Sequence, residues 1–100
     1  MNFGKSILVS EGNSFGHVSI ALDDNGGAVV SWLEEGEGGY GTRLMVRALT
    51  SGGVSGPAVK VAEGGRATIG YPRLLHAGRE TWIAWGNSGT AKIQTARLLK

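Results

Sequence analysis

The chain repeats itself. GKSILVSEG from Gly4 aligns with GPAVKVAEG from Gly56, and FGHVSIAL from Phe15 aligns with IGYPRLLH from Ile69. GAVVSW, ending at Trp32, aligns with TWIAW, ending at Trp85, and RLMVRAL from Arg43 aligns with KIQTARL from Lys92. The first three matches are spaced by 52 to 54 residues. A period of that length carries one supersecondary unit per repeat, and such a unit buries its apolar face only by stacking on a neighbour. The 100 residues therefore read as two copies of one four-segment unit.

Each segment reads as a β-strand. Eighteen glycines cut the chain into apolar runs of about five to eight residues, too short for the sustained 3.6-residue period of a helix. The pattern predicts strands at Lys5–Ser10, His17–Leu22, Gly27–Leu33, Thr42–Leu49, Pro57–Ala62, Gly70–Leu75, Glu80–Trp85 and Ala91–Leu98. Between them lie turn formers: Asp24-Asn25-Gly26-Gly27, Ser51-Gly52-Gly53, Glu63-Gly64-Gly65 and His76-Ala77-Gly78. AVVSWL and TWIAW are nearly continuous apolar runs, as strands covered on both faces should be, whereas RLMVRAL alternates like a more exposed strand. The class is all-β.

Four short strands per repeat, joined by hairpins, describe a β-propeller blade. Lettered a to d from the axis outwards, the strands run d, a-b-c, d, a-b-c. The expected organisation is one two-blade unit over residues 1–100: an outer strand at 5–10, a blade at 17–62 and an incomplete blade at 70–98. A spare outer strand at one end and an unpaired edge at the other can meet only between copies related by rotation. Propellers carry about four to eight blades, so two, three or four copies would close a ring.

Composition narrows the function classes. There is no cysteine, so neither disulfides nor a Cys-rich metal site is available, and either redox compartment is compatible. The N-terminal apolar run, Ile7-Leu8-Val9, is well short of a signal-peptide core, and no stretch reaches membrane-spanning length. Ten Lys and Arg give a net charge of +2, spread singly rather than clustered, so neither nucleic acid nor membrane is an expected partner.

The stretches SIALDDNGGAVVSWLEE, TRLMVRALTSGGVSGPAVKVAEG and IGYPRLLHAGRETWIAWGNSGTAKIQTARLL resemble bacterial sialidase-like (BNR-repeat) propellers, in particular their last two blades. That resemblance implies six blades, hence a homotrimer with strand exchange. The family's Asp box falls at Leu49-Thr50-Ser51-Gly52-Gly53-Val54-Ser55-Gly56, which keeps the glycines and lacks the aspartate and tryptophan. A sialidase also needs an arginine triad, a tyrosine nucleophile with its glutamate, and an acid/base aspartate drawn from several blades. Two blades cannot supply that set as separate positions, although three symmetry copies of Arg73 would form a carboxylate-binding ring.

Candidate ligand contacts gather on one face, where the d-to-a and b-to-c connections lie. They are Glu34, Glu35 and Tyr40 from the acidic, glycine-rich loop LEEGEGGYG, Arg66, Tyr71 and Arg73 at the start of the second unit, and Trp32 and Trp85 beneath, with His17 and Asn87 on the same side. Aromatic faces beside planar polar groups suit a sugar, whose CH face stacks while its hydroxyls hydrogen-bond. Packing between blades is the competing role of the two equivalent tryptophans. Asp23 and Asp24 read as turn residues, and His17 and His76 have no ligand partners at zinc spacing. No cofactor motif is present and no acid and nucleophile pair is identifiable. The expected function is a homo-oligomeric, lectin-like binding module whose partners are its own copies and glycans. Two alternatives stay open: a sialidase-like hydrolase fragment without independent activity, and a purely structural or engineered propeller fragment.

Overall fold

A computed structural model describes residues 6–23, 26–39, 41–50, 52–54, 56–64, 69–87 and 92–98. Its elements, in chain order, are β1 (Ser14–Leu22), β2 (Ala28–Glu35), a 3-10 turn at Glu37–Gly39, β3 (Thr42–Thr50), β4 (Gly53–Val54), β5 (Val59–Gly64), β6 (Arg73–Ala77), β7 (Glu80–Asn87) and β8 (Lys92–Arg97). Every ladder is antiparallel. The first sheet runs β1-β2-β3 and continues into β5, with the short β4 paired to the far end of β3; the second runs β6-β7-β8.

Seven of the eight expected strands are present, shifted by a few residues at their ends. The exception is Lys5–Ser10. Lys5 lies outside the described residues, and Ser6–Ser10 joins no ladder. This segment rests instead on the outward face of the first sheet. Val9 packs on Val30, Trp32 and Met45 there. Arg47 fixes the segment, its Nη1 donating to the Val9 carbonyl at 2.9 Å and pairing with Glu11 Oε1 at 3.0 Å.

Strand pairing repeats with the sequence. Val30 pairs with Ile20 on one side and Arg47 on the other; Ile83 pairs with Leu74 and Ala96. Trp32 pairs with Met45 and Trp85 with Gln94. The corresponding residues are 54 positions apart for β1 and β6, 53 for β2 and β7, and 49 for β3 and β8. Because side chains alternate with period two, a slip of one residue would have reversed every face, so this agreement fixes which faces correspond.

The two sheets pack face to face through Val29, Leu33, Leu44 and Val46 of the first and Ile83 and Trp85 of the second, with Ile69 between them. Leu44 and Ile83 are fully buried at its centre. At about 25 cal/mol per Å2 of apolar surface, burying each such side chain contributes roughly 2 kcal/mol. The inner strands β1 and β6 meet directly, where the Leu74 amide donates to Ser19 Oγ at 3.1 Å. Asp23 does turn work, as its sequence context implied: its Oδ1 accepts from the Gly27 amide at 2.9 Å, and its own amide donates to the Gly27 carbonyl at 3.0 Å. Asp24 lies outside the described residues.

Candidate ligand-binding cleft

A glycine inside a strand marks a bulge, and Phe15-Gly16-His17 is such a place. The β1-β2 register shifts on both sides of Gly16, with φ of 83° at Gly16 and 51° at His17. For a residue with a Cβ this left-handed conformation costs on the order of 1 to 2 kcal/mol, and such strain concentrates at functional sites. The bulge re-aims the His17 ring towards the second sheet, where it meets Tyr71 edge-on with centroids 4.5 Å apart. Just before β6, Pro72 is buried while Tyr71 stands 74% exposed.

His17 and Tyr71 form the shared wall of two depressions. The larger, of about 650 Å3, is bounded further by Phe15, Glu35 and Thr42, with Ile69 at its base. The smaller, of about 230 Å3, adds Arg73. Asn13 holds the Glu35 carboxylate in place, its Nδ2 donating to Oε2 at 3.2 Å, and the Glu35 amide donates to the Asn13 carbonyl at 2.9 Å. The result is one open cleft with an exposed phenol, an imidazole, a carboxylate, a hydroxyl and, next door, a guanidinium. Those are the groups that bind a neutral polyhydroxylated ring.

Glu34 goes elsewhere. It was expected in the acidic loop, yet both glutamates belong to β2, because the ladder continues to Glu34↔Arg43 and Glu35↔Thr42. Consecutive strand residues point to opposite faces, so Glu35 borders the cleft while Glu34 shares the outward face with Trp32. Glu34 is only 4% exposed there. Trp32 Nε1 donates to its Oε1 at 2.9 Å, and Arg43 Nη2 lies 3.0 Å from its Oε2. Gly12 closes over the same carboxylate: a Cβ on Gly12 would stand 2.9 Å from Oε2. Both carboxylate oxygens are thus held by the protein's own groups.

The structure brings Glu35, Tyr71 and Arg73 together around His17. Trp32 lies in the outward-face cluster with Val30 and Met45, and Trp85 lies in the core between the sheets. Tyr40 and Arg66 fall outside the described residues. Asn87 is at the end of β7, its Nδ2 donating to Gln94 Oε1 at 3.4 Å. Phe15 and Thr42 were missed, although the bulge glycine beside Phe15 was a legible signal. Among the described residues no group of three or more His, Asp or Glu could hold a metal ion, and no helix is long and apolar enough to cross a membrane. In comparisons with known proteins, no family model, curated protein or solved structure matches the chain.

Proposed function

We propose that this chain is a carbohydrate-binding β-propeller module that works as a ring of three identical copies. Six blades would come from three chains, with Lys5–Ser10 serving as the outer strand of a neighbour's second blade. Two antiparallel meanders of matching register support the blade reading, as does the direct meeting of their inner strands, β1 and β6. The resemblance to sialidase-like propellers supports six blades over four or eight.

The observation that carries the binding role is the strained His17 set against exposed Tyr71 at the cleft. In this reading Tyr71 stacks on a sugar ring, Glu35 and His17 take its hydroxyls, and Arg73 extends the site. Trp32, Glu34 and Trp85 serve the packing beneath. Three copies would present three equivalent shallow sites, and avidity would follow from their number.

A glycan array tests this with the wild type and Tyr71→Ala, a substitution at an exposed position. The wild type should bind one saccharide class, and the variant should lose at least about tenfold in affinity, the worth of one stacked aromatic near 1.4 kcal/mol. A flat wild-type array across neutral, acidic and amino sugars would overturn the proposal.

A further inference from the structure

The repeat register says which residues of the two sheets correspond, and burial then separates the faces. Call the face that the first sheet turns towards the second its front, and the face with which the second sheet meets it that sheet's back. On the first front, Ala21, Val29 and Leu44 are buried, Leu44 completely. Their counterparts on the second front are Leu75, Trp82 and Ile93, all larger than or comparable to the residues they replace and all exposed, Ile93 by 77%. On the second back, Ile83 and Trp85 are buried, with Leu74 packed against them. Their counterparts on the first back are Val30 and Trp32, covered by Val9, and Ile20, which is 58% exposed within a stripe with Val18 and Leu22.

The chain thus carries one front-to-back contact internally and leaves a matching front and a matching back open on opposite sides. Exposed apolar patches of this kind mark interaction surfaces. We infer that a second copy of this chain docks its Val18, Ile20 and Leu22 stripe onto the Leu75, Trp82 and Ile93 face, repeating between chains the contact made within one. This rests on the ring reading above and names its interface. Such a contact is heterologous, so it closes a ring where the rotation from unit to unit divides a full turn, instead of pairing two chains face to face. The incoming back must also shed Val9 from Trp32, which frees the 6–10 segment from its resting place on its own sheet.

Light scattering coupled to size exclusion tests it with the wild type, Ile20→Glu, Ile93→Glu and an equimolar mixture of the two variants. The wild type should show about three times the 10.4 kDa chain mass. Each variant alone should fall to one chain, because each has lost one of the two complementary faces. The mixture should form a two-chain species and nothing larger, since each partner supplies the face the other lacks. If either variant fails to give a native far-ultraviolet spectrum, Val18→Glu and Leu75→Glu replace them. A three-chain wild type whose variants keep that mass would overturn the interface and leave the ring standing. A two-chain species from either variant alone would show a face that pairs with itself, and would overturn the heterologous contact. A one-chain wild type would overturn both.

Discussion

Glu34 and Arg43 form an unequal pair, and the inequality can be measured. The Glu34 side chain is 5% exposed and that of Arg43 32%. Removing the partner of a buried charge costs about 3 to 5 kcal/mol, whereas exposed pairs contribute about 0 to 1. Arg43→Ala strands a carboxylate whose only other described support is the Trp32 indole, so the expected loss is about 2 to 3 kcal/mol, discounted because Arg43 is partly solvated. Glu34→Gln leaves a cation that can turn to water and keeps an acceptor for Trp32 Nε1, so its expected cost is about 1 kcal/mol. In the Glu34→Gln background, adding Arg43→Ala should cost less than about 1 kcal/mol, since no buried charge remains to be stranded. Urea denaturation at one fixed protein concentration reads these differences from the midpoint at constant slope. On a domain of this size the Arg43→Ala loss corresponds to a fall in Tm of roughly 10 to 20 °C. Finding Glu34→Gln as damaging as Arg43→Ala, or the two losses simply additive, would refute this account of the pair.

Ser31 is fully buried between the sheets and its Oγ has no hydrogen-bond partner among the described residues, so Ser31→Ala should stabilise the chain by about 1 kcal/mol, read from the same denaturation curves. His17 tests the strained bulge: Asn tolerates the left-handed region and His17→Asn should stay within about 1 kcal/mol of wild type, while the β-branched His17→Val should lose about 2 kcal/mol. Equal stabilities for the Asn and Val variants would show that the bulge relaxes and holds no strain.

Much of the fold was legible because it rests on local pattern. The Trp32 and Trp85 runs gave the central strands, and Asp23 to Gly27 gave the first turn. What required coordinates was pairing across strands. A doublet such as Glu34-Glu35 after an apolar run reads as the start of a loop, since its partners, Arg43 across the ladder and Gly12 above, are fixed only by register and by the return of the N-terminal segment. The cleft was half legible for the same reason: Glu35, Tyr71 and Arg73 were singled out by type, while the part played by His17 depends on a bulge geometry that Gly16 only hinted at. Ser6–Ser10 has the short apolar run of a strand, Ile7-Leu8-Val9, but pairing depends on where the N-terminal segment returns, and here Val9 packs on the Trp32 face.

Small-angle X-ray scattering tests the ring claim most directly. One chain has a Cα radius of gyration of 13.8 Å. Three chains of 100 residues in one compact ring should give about 19 Å by the size scaling of folded proteins. A value near 19 Å, with a forward scattering mass of three chains, is the expected result. A value near 14 Å that persists as concentration rises would contradict it.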